Sequence, residues 1–186
     1  LHGRYGEDGF VQSILESLRI PYTHSGIFSS SLAMDKELSR LIFKKHRIKV
    51  PKYFLLHKDY EENLKKKMKN KKIKFPIVIK PINEGSSLGV YICKNKIQFY
   101  KNYKKLKKKY DRILVEEYIP GKEIQAAVMG EKALGAIELV PRRKFYDYKA
   151  KYSSKAKTKH IMPAPHSSKK YKEVLFLAQK AHKAQG

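Results

Sequence analysis

The residues best suited to chemistry cluster in three short stretches. Glu84-Gly85-Ser86-Ser87-Leu88-Gly89 follows closely on an apolar run that ends at Lys80. Small residues let backbone N–H groups approach an anion, hydroxyls add donors, and a lysine at a strand end supplies a compact positive charge for a phosphate. Lys80, Ser86 and Ser87 are therefore candidates for a nucleotide cradle. The glycine order fits neither the GxxxxGK[ST] phosphate loop nor GxGxxG, and an ordinary glycine–serine turn is the competing reading. In the second stretch, Val115-Glu116-Glu117-Tyr118-Ile119 is followed by Glu123. It falls at an expected domain boundary, where clefts commonly hold ligands. A strand edge there could read an adenine edge while a carboxylate takes ribose hydroxyls; the alternative is a strand with a solvent-facing acidic pair. The third stretch, Tyr146-Asp147-Tyr148-Lys149-Ala150-Lys151-Tyr152, mixes aromatics and lysines. On a mobile segment these could close over a substrate and keep water from a reactive intermediate. The bland alternative is a sticky loop.

Regular elements must hold these stretches in place. Phe10, Val11, Ile14, Leu15 and Leu18 recur at helical spacing between Glu7 and Ile20, and Pro21 closes the pattern. A second helix is expected from near Leu32 to about Lys45, with the hydroxyls of Ser29 to Ser31 available to cap it. Strands at Tyr53 to Leu56 and Phe75 to Ile79 bracket a lysine-rich helix, and the β-branched residues of the second suit a buried strand. After the loop from Asn83 to Gly89 come a strand at Val90 to Cys93, a helix to about Tyr110 and a strand at Ile113 to Tyr118. Beyond Gly121 the pattern changes to strands at Ile124 to Met129 and Leu134 to Leu139 around the turn Gly130-Glu131-Lys132. A long loop over 141–170 follows, then a final helix from about Lys169. The order is that of an α/β (α+β) protein with a boundary near 119–121.

Composition narrows the function classes. The chain has 186 residues, 41% hydrophobic and 11% aromatic, enough for a packed core. No apolar run approaches the roughly 20 residues of a membrane helix, and no apolar targeting segment opens the chain. Neither membrane association nor export is indicated, and the single cysteine, Cys93, fits a reducing, cytoplasmic compartment. The net charge of +25 invites a nucleic-acid reading. Lysine supplies nearly all of that surplus, mainly over 65–74 and 101–109, where helix-compatible runs form solvated faces. Arginine, the residue for bidentate phosphate contacts, is sparse. No specific nucleic acid is expected.

Taken together, the motifs resemble the D-alanine–D-alanine ligase family, whose fold is the ATP-grasp fold. The matching words are His2-Gly3-Arg4-Tyr5-Gly6-Glu7-Asp8-Gly9, Ala33-Met34-Asp35-Lys36, Lys80-Pro81 with Glu84 to Val90, Glu116 to Ile119 with Glu123, and Tyr146 to Tyr152. They occur in the family's order across almost the whole chain. The resemblance implies three parts: the end of an N-terminal α/β substrate domain (1–30), a central ATP-grasp subdomain (31–119) and part of a C-terminal one (120–186) with a lid loop over 141–170. It implies that Lys36 and Lys80 hold ATP phosphates, that Lys151 is brought over the nucleotide by the lid, and that Ser87 contacts phosphate. Glu116, Glu117, Tyr118, Ile119 and Glu123 match adenine and ribose contacts, Glu117 standing where lysine is commoner. His2 matches a residue near the first D-alanine, and Ser86 and Tyr152 match the hydroxyl pair that orients the substrates and closes the lid.

The reaction so implied joins two D-alanines through an acyl phosphate, with ATP and Mg²⁺ (or Mn²⁺) as cofactors and a homodimer as the assembly. The family's metal ligands and its arginine for the tetrahedral intermediate follow the final helix, and a glutamate for the first D-alanine precedes the first motif. The chain begins at Leu1 and stops at Gly186, so a fragment without metal ligands, inactive by itself, is expected. Lys149 stands where the family commonly has glutamate, whereas the retained Tyr152 favours dipeptide formation over D-alanyl-D-lactate. His24, His160 and His166 receive no role. Two other readings remain. A different ATP-grasp carboxylate–amine ligase would not need the 2–9 and 146–152 words, and a non-enzymatic nucleic-acid binder accounts only for the charge.

Overall fold

The computed structural model describes residues 3–58, 64–141 and 158–186. They divide into two compact units, one comprising the chain up to Arg40 together with Val50–Ile119, the other Leu41–Lys49 with Pro120–Gly186.

The first unit is built on a four-stranded sheet in the order β1-β4-β2-β3, from β1 (Tyr53–His57), β2 (Ile77–Pro81), β3 (Tyr91–Cys93) and β4 (Arg112–Glu117). Every pairing is antiparallel, with Tyr53 opposite Glu116, Val78 opposite Glu116 and Lys80 opposite Leu114. Because side chains alternate along a strand, the register sorts the residues onto two faces. One face carries Phe54, Leu56, Ile77, Ile79, Cys93, Ile113 and Val115, which form one buried cluster with Leu64, Ile73, Phe99 and Leu106. The last four come from the helices α4 (Leu64–Lys71) and α5 (Lys96–Leu106) and the turn between α4 and β2. Fully burying one such side chain contributes about 1.5–3 kcal/mol. The Asn95 side chain starts α5 by accepting from the Gln98 N–H at 3.0 Å, and Phe99 and Tyr103, one turn apart, stack with ring centroids 5.5 Å apart. The lysines of α4 and α5 mostly point to solvent, as the sequence pattern implied. The opposite face of the sheet carries Tyr53, Val78, Lys80 and Glu116.

Toward that second face reaches Arg40, from the start of α3 (Lys36–Lys45), which is preceded by α1 (Phe10–Ser17) and α2 (Ile27–Met34). The single helix expected from Leu32 to Lys45 is thus two helices. Asp35 breaks the run by turning extended (φ −81°, ψ 107°), and its carboxylate accepts from the N–H groups of Glu37 and Leu38 at 2.8 and 3.0 Å. An aspartate satisfying the open amides of a new first turn is an N-cap. No serine hydroxyl caps α2, whose N-cap is Gly26. The first helix is shorter than the stretch from Glu7 to Ile20 because the chain turns at Gly9 (φ +93°), where a Cβ would stand 2.3 Å from Ser31 Oγ and 2.9 Å from Ile27 O.

In the second unit, β5 (Glu123–Met129), β6 (Lys132–Val140) and β7 (Lys159–Ile161) form an antiparallel sheet in that order. The helix α6 (Ser168–Gln185) packs against β5 and β6, and the Tyr171 hydroxyl accepts from the Ala136 N–H at 3.0 Å. β7 corrects the expectation of a structureless stretch from 141 to 170. Lys-His-Ile has no strand signature of its own, and only pairing with Glu138, Leu139 and Val140 makes it one. Residues 142–157 of that stretch lie outside the described residues. Among the described residues no helix is long and apolar enough to cross a membrane.

Candidate functional site

Lys36 opens α3 and reaches across to the end of β2. Its backbone N–H donates to the Ile82 carbonyl at 3.1 Å, and its ammonium donates to Ile82 O at 3.2 Å and to Glu84 O. Lys80, the penultimate residue of β2, sends its ammonium from the same face of the sheet to one carboxylate oxygen of Glu116. The other oxygen takes Nη2 of Arg40, one turn along α3 from Lys36. Glu116 is only 5% exposed and is the central anion of the cluster. Two cations, Lys80 and Arg40, thus pair with one buried carboxylate, while the Lys36 ammonium beside them is held by backbone carbonyls. Burial pushes the Lys36 ammonium down to about 8, and the Lys80 and Arg40 charges push the same way, while Glu84 and Glu116 pull it back only in part.

Beside this cluster lies the loop from Asn83 to Gly89. Ser86 (φ +51°), Ser87 (φ +59°) and Gly89 (φ +70°) adopt left-handed conformations, and Leu88 N–H donates to Gly85 O at 2.9 Å. Left-handed serines are strained by about 1–2 kcal/mol each. Such strain persists where surroundings over-determine it, characteristically at ligand sites. At Gly89 a Cβ would stand 2.9 Å from Pro81 Cγ, so the loop is pressed against the end of β2. Turns presenting successive backbone N–H groups make concavities that accept anions. The N-terminal loop comes close as well: Arg4 pairs with Glu84 at 3.6 Å, and Glu7 Oε2 lies 3.7 Å from a Cβ placed on Gly85.

Within the first unit Lys36, Lys80 and Glu116 are gathered together, and the loop that carries Ser86 and Ser87 is tied to them where Lys36 bonds Glu84 O. It alters the reading of the strand that carries Glu116. β4 is an interior strand, so no free edge is offered along it; Glu117 N–H donates to Lys52 O at 3.0 Å and Tyr118 N–H to Pro76 O at 3.3 Å. The Glu117 carboxylate, expected to face solvent or a ribose, accepts from the Lys52 N–H at 2.8 Å. Glu116, likewise, faces Lys80 and Arg40. Past the strand end, Ile119 is 59% exposed. Glu123 lies in the second unit, exposed at the start of β5. His2, Lys151 and Tyr152 lie outside the described residues.

Arg40 is the participant that sequence reasoning missed. Its signal was present as a cation four residues after Lys36, on the same helical face, but its partner became identifiable only through the strand register. Glu37 and Arg112 were missed in the same way; they form an ion pair, and Arg112 also approaches Asp35 at 3.9 Å. Among the described residues no group of three or more His, Cys, Asp or Glu could hold a metal ion. The acids nearest the lysines are already engaged by Lys80, Arg40 and Arg4, so this donor set does not fit Mg²⁺ or Mn²⁺. What the arrangement offers is a dense positive charge with backbone donors beside it. That suits a polyphosphate, with positioning and electrostatic stabilisation as its means of catalysis.

A family model described as "D-ala D-ala ligase C-terminus" matches residues 42–186. A D-alanine–D-alanine ligase from Pelagibacter ubique (strain HTCC1062) is 56% identical over 100% of this chain and 60% of its own length. The crystal structure of a D-alanine–D-alanine ligase from Bacillus anthracis superposes with a TM-score of 0.85 at 34% identity, covering 100% of this chain and 59% of that one. A Bacillus anthracis ligase complexed with ATP gives 0.81 at 29% identity, covering 100% and 57%. The chain therefore spans about 60% of the length of the relatives it matches.

Proposed function

The chain belongs to the D-ala D-ala ligase C-terminus family, and from that premise we propose that the protein carrying it is an ATP-dependent ligase joining two D-alanines into D-alanyl-D-alanine for peptidoglycan precursor synthesis. Its fold is the ATP-grasp fold of those ligases. Residues 1–30 belong to the substrate domain, 31–119 to the central ATP-grasp subdomain and 120–186 to the C-terminal one. The assembly is a homodimer in the cytoplasm.

The observation that carries this reading is the meeting of Lys80, paired with Glu116, and Lys36, bonded to Glu84 O in the strained loop that carries Ser86 and Ser87. In the proposed reaction the two lysines take the phosphates of ATP, and Ser87 with the loop amides completes the cradle. Glu117, Tyr118, Ile119 and Glu123 supply the adenine and ribose contacts. The terminal phosphoryl group passes to the carboxylate of one D-alanine, giving an acyl phosphate and ADP. The amine of the second attacks the acyl carbon, the tetrahedral intermediate expels inorganic phosphate, and the dipeptide remains. Lys36 and Lys80 stabilise charge on the transferring group, an effect magnified in a partly buried site. Ser86 orients the substrates together with Tyr152, His2 lies near the first D-alanine, and Lys151 closes over the nucleotide. No step here is routed through a metal ion, because the acids described do not fit one.

The test uses the complete protein with ATP, Mg²⁺ and D-alanine. D-alanine-dependent ADP release, with D-alanyl-D-alanine detected by mass spectrometry, is the expected result. ADP release indifferent to D-alanine, or a product formed only when another amine is supplied, would defeat the assignment.

A further inference from the structure

We propose that Arg40 is a positioning residue of the nucleotide site, holding the Glu116 carboxylate so that Glu116 in turn fixes the Lys80 ammonium on the sheet face beside Lys36. The inference rests on the nucleotide-binding reading above, and it assigns a role to a residue that touches neither nucleotide nor D-alanine in that reading.

The geometry around Arg40 is specific. Its Nη1 donates to the Lys36 carbonyl at 2.8 Å, its Nη2 donates to Glu116, and its guanidinium carbon lies 5.5 Å from the centroid of the Tyr53 ring. The side chain is only 12% exposed, and Nε is buried without a hydrogen-bond partner. Leaving a buried donor unsatisfied is unfavourable, so the guanidinium is held by its other contacts. A planar fork holds a carbonyl and a carboxylate in fixed directions while its face lies near an aromatic ring, a geometry that the compact, rotating ammonium of lysine does not fix. Glu116 has two carboxylate oxygens and gives one to each cation. With Arg40 in place, the Glu116 rotamer is set and Lys80 meets a fixed partner. Without it, the carboxylate is free to turn, and Lys80 loses its fixed partner beside Lys36.

Arg40 also contributes to the charge that Lys36 experiences. The charged groups facing Lys36 are Lys80 from β2, Arg40 from α3, Glu84 from the loop and Glu116 from β4. Removing Arg40 takes away a repulsive neighbour and raises the pH at which Lys36 loses its proton. Loss of burial around Lys36 would move that titration the same way, so Arg40→Lys, which keeps the charge, separates the two causes.

The experiment compares wild type, Arg40→Met and Arg40→Lys in the complete protein, measuring equilibrium binding of a non-hydrolysable ATP analogue from pH 7 to 10. Binding needs no turnover, so it remains readable even if the D-alanine reaction is misassigned. Arg40→Met is expected to weaken binding at pH 7 about tenfold and to shift its alkaline fall to higher pH. Arg40→Lys keeps the charge and loses the fork; it is expected to weaken binding about threefold while leaving the alkaline fall unmoved. If Arg40→Met does not fold, the Arg40→Lys pattern alone decides. Variants that lose thermal stability but bind as wild type, at every pH, would overturn the proposal. A wild-type protein that binds no nucleotide at all would instead remove the nucleotide reading, and this inference with it.

Discussion

Lys36 is the residue whose chemistry is most sharply set by its surroundings, and nucleotide binding should depend on pH because of it. Without ligand its ammonium titrates at about 8, pushed down by burial first and by Lys80 and Arg40 next. An arriving polyphosphate favours the charged form and raises that value. Binding at pH 8 therefore takes up about half a proton at this site, and at pH 9 nearly a whole one. If the bound value exceeds about 10, apparent affinity falls about tenfold between pH 7 and 9. Folding stability runs the other way. Between about 8 and the ordinary 10.5 the unfolded chain holds more protons than the folded one, so stability rises with pH across that window. Its ceiling is about 3 kcal/mol before solvent screening reduces it. The ligand-free fold thus bears a cost at neutral pH that a bound anion offsets. Calorimetric titration of a non-hydrolysable ATP analogue in two buffers of different ionisation enthalpy reads the proton uptake directly. Lys36→Arg, charged at every pH used, should abolish Lys36's part of the uptake and flatten the alkaline fall. A wild-type affinity that is level from pH 7 to 9, or a slope that persists unchanged in Lys36→Arg, would refute the reasoning.

Other substitutions separate backbone strain from packing. Gly89→Ala meets both a positive φ and Pro81 Cγ at 2.9 Å, with Leu106 Cδ2 at 3.2 Å. It should lose about 2–4 kcal/mol in denaturant unfolding and weaken nucleotide binding. Gly130→Ala, also at positive φ but with nothing within 4 Å, should lose only about 1 kcal/mol and leave binding intact. Asn95→Ala removes the cap of α5 and should reduce stability by about 1 kcal/mol in the same measurement, with no change in nucleotide affinity.

The strongest elements were legible because their physics is local. The β-branched run before Lys80 reads as a buried strand, and the structure places β2 within two residues of it. The helix containing Phe10 and Ile14 likewise follows from its spacing, although the turn at Gly9 shortens it. The break at Asp35 was illegible, since Ala-Met-Asp-Lys continues a helical pattern and only the capping geometry ends it. β7 was illegible for a different reason, being created by pairing alone. At the candidate site, Lys36, Lys80 and the loop at Ser86 could be singled out by residue type and family resemblance. The environment of Glu116 could not. Its carboxylate faces cations because strand alternation and the β2–β4 register put it on the face that Lys80 shares and Arg40 reaches. That is a property of pairing, which no single stretch of sequence displays.

The central claim is that ATP activates a D-alanine carboxylate as an acyl phosphate, and isotope transfer tests it most directly. D-alanine labelled with ¹⁸O in its carboxylate, incubated with the complete protein and ATP, should place one labelled oxygen in inorganic phosphate for each D-alanyl-D-alanine formed. Dipeptide formed alongside unlabelled phosphate would contradict the account.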